Sequence, residues 1–450
     1  AILQYVLSAV PLRKTQRNFL TVLLSVFLAV PGRLNVLNLS RYAACSESTI
    51  RRWLHRSDPG AIPWGAVHRA TVSTAIESGL ISPLCVLAID ASFHRKSGQH
   101  TAHLGSFWNG CAARTERGIE QSCCALIDVQ HRQAFTVDVR QTRTGSEAPS
   151  RLEQAADQLD DVLLDLQTVP RLDLAAVVAD GNYAKESMVE TVTGHGLPFI
   201  SRFPRNANLK YLYTGEHPRR RGRPKKFDGK VDFSDLQRFD LVSETSTERV
   251  WTQVVWSVQW AREVRAVVIQ QVGKKGQVTG YAVLFSTAVT MPAHEVIALY
   301  RSRFEIELIF RDAKQFLGSQ DVQLRSQQGI EAHWNVVLLT LNLCRLEVLR
   351  AAGGGQEARG HVLGVKPRLE GVAGDGQFVV PLGQRLARGM GLHRRLDRRL
   401  PGRVQRQELA AGHGLKPVRV GRGFLRGDGG RRGQAGKGED WKESFISEPF

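Results

Sequence analysis

The sequence predicts an α/β fold in which polar groups gather at the ends of two buried strands. Residues 84–89 and 174–179 are short apolar runs with the length of central strands, and they are followed by Asp90 and Asp180. Residues 300–314 have the periodicity of an amphipathic helix. Catalytic groups of α/β sheets collect at strand ends, so these three stretches predict one common site.

Composition points to a nucleic-acid partner. The chain has 450 residues, enough for two or three domains, and its 61 Lys and Arg exceed its 43 Asp and Glu by 18. An excess of this size favours a polyanion such as DNA. The six cysteines form no CxxC pair, which is typical of free thiols in a reducing compartment such as the cytoplasm.

Residues 1–75 are expected to form a helical DNA-binding domain. Residues 19–30 are the most apolar run, and twelve residues are too few to span a bilayer, so we expect a buried helix and no membrane association. The stretch 38–54 has the pattern of a helix-turn-helix. Arg51 and Arg52 would lie exposed on its second helix as DNA contacts. A plain helical hairpin is the alternative.

Residues 80–350 are expected to form the catalytic domain. After the first strand, the runs 119–129 and 134–139 have the pattern of a hairpin, and 151–166 have helical spacing. With the strand before Asp180, the order is β-β-β-α-β. This order predicts an α/β sheet.

A β-rich insertion is expected at residues 200–290. Its strand-like runs are 250–258, 264–272 and 280–286. Before them lies a basic loop in which Arg221 and Arg223 belong to an Arg-Gly-Arg-Pro sequence. This sequence resembles the core of an AT-hook, a segment that enters the minor groove of A·T-rich DNA. A basic loop without that role is the alternative.

Residues 351–450 differ in composition from the rest. They contain 22 of the 42 glycines together with 19 Lys and Arg, and they show no helical or strand period. Such composition is typical of disorder. We expect a disordered tail or an out-of-frame translation, and a basic nucleic-acid-binding tail is the alternative.

The helix at 300–314 carries four reactive side chains on one face. The face begins at Tyr300, and the other three residues, Arg303, Glu307 and Lys314, follow it by 3, 7 and 14 positions. On an α-helix these offsets place all four side chains within about 60° of one another. An ordinary salt-bridge face is the alternative explanation.

Glu307 and the two strand-end aspartates can together make an oxygen-rich site. Three carboxylates are the ligands that Mg²⁺ or Mn²⁺ prefers. Each aspartate taken alone could equally be a turn or cap residue.

The spacing of Tyr300, Arg303, Glu307 and Lys314 resembles the Tyr-Arg-Glu-Lys signature of a group of bacterial insertion-sequence transposases. GSFWNG at 105–110 and DGNYAK at 180–185 also resemble that family, and the likeness covers about residues 10–350. It implies a ribonuclease-H-like catalytic core interrupted by a β-rich insertion.

The resemblance also implies a site and a reaction. Asp90, Asp180 and Glu307 would be an Asp-Asp-Glu triad that holds two Mg²⁺ or Mn²⁺ ions for DNA cleavage and strand transfer. The remaining signature residues, Tyr300, Arg303 and Lys314, would hold DNA phosphates.

The resemblance implies two partners. One is double-stranded DNA, which serves both as the terminal inverted repeats and as the target, and the other is a second copy of the chain in a paired-end complex. The expected location is the nucleoid of a bacterial cytoplasm. Two alternatives stay open: a stand-alone nuclease of the same fold, and an inactive DNA-binding remnant.

Overall fold

A computed structural model describes residues 2–30, 32–57, 60–110, 112–204, 206–215 and 224–351. These residues form ten α-helices: α1 (Ile2–Ala9), α2 (Lys14–Ala29), α3 (Val36–Tyr42), α4 (Glu47–Leu54), α5 (Trp64–Glu77), α6 (Arg151–Leu166), α7 (Glu186–Gly194), α8 (Ala293–Ser302), α9 (Glu305–Phe316) and α10 (Gln327–Ala351). The predicted tail at 351–450 lies outside the described residues after Ala351, and so do Arg221 and Arg223.

The same residues contain twelve strands, which all belong to one mixed sheet. They are β1 (Leu84–Arg95), β2 (Gly105–Asn109), β3 (Arg114–Asp128), β4 (Gln133–Gln141), β5 (Asp173–Ala179), β6 (Phe199–Arg202), β7 (Leu209–Leu212), β8 (Phe227–Lys230), β9 (Asp240–Glu244), β10 (Glu248–Ser257), β11 (Arg262–Val272) and β12 (Val278–Ser286). The prediction of an α/β fold with a helical amino-terminal region is confirmed.

Strand β1 lies at the centre of the part of the sheet that carries the aspartates. It pairs antiparallel with β3 along one edge and parallel with β5 along the other. Its residues 85–89 are fully buried and apolar, as expected of a strand covered on both faces. The predicted strands and helix follow one another as β1, β3, β4, α6 and β5, and the structure adds the short strand β2 between β1 and β3. β5 in turn pairs in parallel with β6.

The predicted hairpin and the helix that follows it are also present. β3 and β4 pair antiparallel around a turn in which Arg132 has a φ of 52°. Helix α6 begins after Ser150, whose side chain accepts a hydrogen bond from the Glu153 amide, while the Glu153 side chain accepts one from the Ser150 amide. This reciprocal cap explains why the helix begins where its sequence pattern does.

The strands between residues 200 and 290 extend the same sheet. β10, β11 and β12 form an antiparallel meander, and β12 pairs with β6 at Phe285 and Ser201. Trp260 is buried there, with its ring stacked on Phe203 at 5.2 Å and 4.7 Å from that of Phe285. An aromatic cluster therefore supports this part of the sheet.

The amino-terminal helices pack on α10. Helix α2 is buried along most of its length, as predicted, and no helix of the described residues is long and apolar enough to cross a membrane. The predicted helix-turn-helix corresponds to α3 and α4, and Ser46 caps α4 by accepting from the Thr49 amide at 3.3 Å. The rings of Phe19 and Trp53 stack at 5.0 Å and join α4 to α2.

A buried polar network connects α5, α10 and β4. His68 Nε2 lies 3.1 Å from Asn335 Oδ1, and the Asn342 side chain both accepts from the Thr136 amide and donates to its carbonyl. His68 is fully buried. Because these polar groups satisfy one another, the network fixes how the helices lie on the strand.

Candidate active site

Asp90 and Asp180 lie side by side at the carboxyl end of the parallel pair β1 and β5. The last paired residues of these strands are Ile89 and Ala179, and each aspartate comes directly after one of them. Asp180 follows the end of its strand, as predicted. Asp90 does not, because β1 continues to Arg95 along its antiparallel partner β3.

The backbone and a neighbouring amide orient Asp180. Its Oδ1 accepts from the Gly181 amide at 2.7 Å, and its Oδ2 accepts from the Asn182 side chain at 3.0 Å. Asn182 was missed as a site residue in the sequence, although the DGNYAK motif contains it. An amide two residues beyond a strand-end aspartate is the signal that could have revealed it.

The signature residues lie on two helices and not on one continuous helix, so that expectation is wrong. Helix α8 ends at Ser302 and α9 begins at Glu305, with Arg303 and Phe304 between them in helical backbone conformations. The Arg303 amide bonds to the Tyr300 carbonyl, and the Glu307 amide to that of Phe304. These bonds span three residues, so the chain makes a tighter turn there than an α-helix does.

The core-facing side of α9 agrees with its periodicity except at its end. Ile306, Ile309 and Ala313 are buried at helical spacing, but Phe316, the next residue on that side, is exposed. The helix stops at Phe316, and Leu317 takes the buried position instead.

Arg303 joins two of the three predicted catalytic carboxylates. Its Nη1 donates to Asp90 Oδ2 at 3.2 Å, and its Nη2 donates to Glu307 Oε1 at 2.7 Å. Only 8% of the residue is exposed. The guanidinium carbon also lies 6.0 Å from the centre of the Tyr300 ring. The tight turn therefore places Arg303 between the strand carboxylate and the helix carboxylate.

The charges of these groups affect one another strongly. Burial raises the pKa of Asp90 to about 6, Arg303 and the Ala91 amide oppose the rise, and the Asp180 and Glu307 carboxylates add to it. Burial alone would lower the pKa of Arg303, but the surrounding acids, with Asp90 first among them, raise it. The Asp180 and Glu307 carboxylates are thus close enough to Asp90 for their charges to raise its pKa.

Lys314 lies farther along β1 than Arg303 does. Its Nζ donates to the Phe93 carbonyl at 3.2 Å. Tyr300 is largely buried, and this burial raises the pKa of its phenol. The structure thus brings Tyr300, Arg303, Glu307 and Asp90 together, with Lys314 at the edge of the group.

The donor chemistry of this site fits a hard divalent cation. Asp90, Asp180 and Glu307 offer only oxygen atoms, and Mg²⁺ and Mn²⁺ prefer carboxylate oxygens. Within the described ranges, no group of three His, Cys, Asp or Glu side chains is arranged to hold a metal ion, and the Arg303 guanidinium lies between Asp90 and Glu307.

The candidate DNA contacts on α4 differ from each other. Arg51 bonds within its own helix to Glu47 through Nε and Nη2, at 2.8 and 2.6 Å. Arg52 is exposed. The guanidinium of Arg56 lies over the Trp53 ring at 4.5 Å. Arg52 is therefore the better placed of the two predicted residues for contact with a partner.

Comparison with known families gives one match. A family model described as the transposase DDE domain matches residues 81–343, which include both aspartates, Glu307 and all of the strands. No curated protein matches the chain significantly.

Proposed function

The chain belongs to the transposase DDE domain family, and we propose that it cuts DNA at the ends of an insertion sequence and joins those ends to a target. The convergence of Asp90, Asp180 and Glu307 on the region around Arg303 is the observation that carries this proposal. It joins the point where the pairing of β1 with β5 ends to a helix that lies more than 100 residues further along the chain.

Asp90, Asp180 and Glu307 are proposed to hold Mg²⁺ or Mn²⁺, two ions in each site. Such a site would supply activation of the attacking oxygen and stabilisation of the leaving oxygen in an in-line displacement. The protein's own contribution is to place its carboxylates on rigid elements. The Asp90 side chain belongs to a strand paired on both edges up to that residue, and Asn182 and the Gly181 amide hold Asp180.

Tyr300, Arg303 and Lys314 are proposed to hold the phosphates of the DNA end. The support is their position beside the carboxylates, where cationic groups and a phenol can donate hydrogen bonds to phosphate oxygens. Because Arg303 also bonds Asp90 and Glu307, it keeps both carboxylates oriented.

The DNA partner is proposed to be bound in part by the amino-terminal helices. Residues 1–75 contain nine Lys and Arg against two Asp and Glu, and Arg51 and Arg52 lie on the second helix of the pair α3 and α4. We propose that these residues form a DNA-binding domain, that 80–350 form the catalytic domain with 200–290 as its insertion, and that two copies bridge two DNA ends in a bacterial cytoplasm.

The proposal is tested with a supercoiled plasmid that carries both flanks of the gene, incubated with the purified chain and Mg²⁺ or Mn²⁺. Metal-dependent excision and strand-transfer products would support it. Cleavage without joining would indicate the stand-alone nuclease, and DNA binding without any cleavage would indicate the inactive remnant.

A further inference from the structure

The hairpin of β2 and β3 has one covered face and one exposed face. Side chains alternate along both strands, and Ser106, Trp108, Thr115 and Arg117 all point to the side that is exposed. We refer to these four residues as the exposed hairpin face. Trp108 is 58% exposed, an unusual degree for the largest apolar side chain.

The opposite face is held in place by packing and hydrogen bonds. Phe107 is buried. The centre of its ring lies 6.4 Å from the centre of the Phe93 ring and 5.7 Å from the guanidinium carbon of Arg151. Asn109 and Arg114 both bond the Glu116 carboxylate, at 2.8 and 2.6 Å. These contacts use the polar and apolar groups of the covered face, so the hairpin presents its other face from a fixed support.

The exposed hairpin face is on the same side of the sheet as the catalytic aspartate. Trp108 pairs with Thr115, and Asp90 pairs with Cys123 eight residues further along β3. An even separation along a strand keeps side chains on one face. Eight residues at about 3.4 Å each give a separation of about 27 Å along the strand, or about eight base pairs of duplex DNA.

The charge of this region suits DNA. Residues 93–118 contain four Lys and Arg and one acid, Glu116, which lies on the covered face. Arg117 is exposed, and no ion pair of the described residues involves it. Ser106 and Thr115 add hydroxyl groups that can donate to phosphates.

We propose that the exposed hairpin face binds duplex DNA about eight base pairs from the phosphate that is cleaved, with Trp108 lying against the sugars of the backbone and Arg117 on a backbone phosphate. Sugars and phosphates are the same in every sequence, so an apolar ring against the sugars and an arginine on a phosphate make a sequence-independent contact. This inference rests on the proposed function, because it takes Asp90 as part of the cutting site.

The proposal is tested by DNA binding in the presence of a chelator, with a fluorescent 40-base-pair duplex from one flank of the gene. Trp108→Ala should weaken binding about tenfold, and Trp108→Phe should retain most of it because an apolar ring remains. Arg117→Gln should make the dependence of log Kd on log salt shallower by about 1. Leu241→Ala, which removes another exposed apolar side chain, and Lys275→Gln serve as controls.

Several outcomes would overturn this inference. If wild type binds and cuts DNA and the Trp108 and Arg117 variants bind with unchanged affinity and slope, the face does not contact DNA. If these variants instead change only the sedimentation equilibrium of the chain, the face joins two copies of the protein. If wild type neither binds nor cuts this DNA, the proposed function itself fails, which is a separate result.

Discussion

Arg303 donates to Asp90 from 213 residues further along the chain, and the same guanidinium donates to Glu307 four residues away. The contact joins the central strand β1 to the turn between α8 and α9. It therefore serves the arrangement of the site and also the stability of the fold.

Replacing Arg303 should destabilise the protein. Arg303→Gln would leave Asp90 and Glu307 without their shared cation in a mostly buried site, and breaking such a pair costs about 3 kcal/mol of the free energy of unfolding. Arg301→Gln is the matched control, because the Arg301 side chain is 52% exposed against 10% for Arg303, and pairs of exposed arginines are worth at most about 1 kcal/mol. The measurement is urea denaturation in a chelator at pH 7, and equal losses for the two variants would contradict this role.

Acid should weaken the fold through His68. Burial lowers the pKa of this histidine to about 4, although its hydrogen bond to Asn335 opposes the change. The unfolded chain takes up the proton near pH 6.5 and the folded chain only near pH 4, so stability is complete above pH 6.5 and is lost as the pH falls toward 4. The free energy of unfolding that is lost through His68 alone approaches about 3 kcal/mol.

The test of this pH dependence compares wild type with His68→Gln between pH 7 and pH 4.5. The stability difference between them should shift in favour of the variant as the pH falls, whereas His294→Gln, a change on the surface, should follow wild type. A constant difference between wild type and His68→Gln across this range would show that His68 is not the responsible group.

Arg52 should contribute more to DNA binding than Arg51. Arg52 is exposed, whereas Arg51 already bonds Glu47. Loss of one phosphate contact makes the slope of log Kd against log salt shallower by about 1. We expect this change for Arg52→Ala and a smaller one for Arg51→Ala. The measurement is a filter-binding titration at several salt concentrations. The reverse order of the two effects would argue against α4 as the contacting helix.

The basic loop is predicted to bind DNA through Arg221 and Arg223. Changing both to Ala should weaken binding and make the salt dependence shallower by about 2, since two phosphate contacts are lost. Lys274 and Lys275, in the exposed turn between β11 and β12, provide a control in which two positive charges are also removed. If both double variants lose the same amount, only total charge matters.

Much of the fold could be predicted from local patterns. The buried runs at 84–89 and 174–179, the hairpin of β3 and β4, helix α6 and the meander of β10 to β12 all follow from hydrophobic period and capping residues, which act within a few residues. The helix pair α3 and α4 was predictable for the same reason.

The parts that could not be predicted depend on distant contacts. The extension of β1 beyond Asp90 requires β3 as a partner, and periodicity in one strand does not reveal where its partner ends. The tight turn at Arg303 contains neither glycine nor proline, and its neighbours 300–314 have a continuous helical period. The contact of Arg303 with Asp90 depends on that turn and therefore appears only in the folded chain.

The most direct test of the proposed triad is to measure cleavage and binding of DNA from the gene's flanks, with Mg²⁺, for wild type and Glu307→Gln. Glutamine keeps the shape of the side chain and removes its charge, so cleavage should fall about a hundredfold or more while binding stays equal or becomes slightly tighter. Asp90→Asn and Asp180→Asn should behave alike, and Glu295→Gln on α8 should cut like wild type. If Glu307→Gln cuts as fast as wild type, Glu307 is only a partner of Arg303 and the triad is wrong.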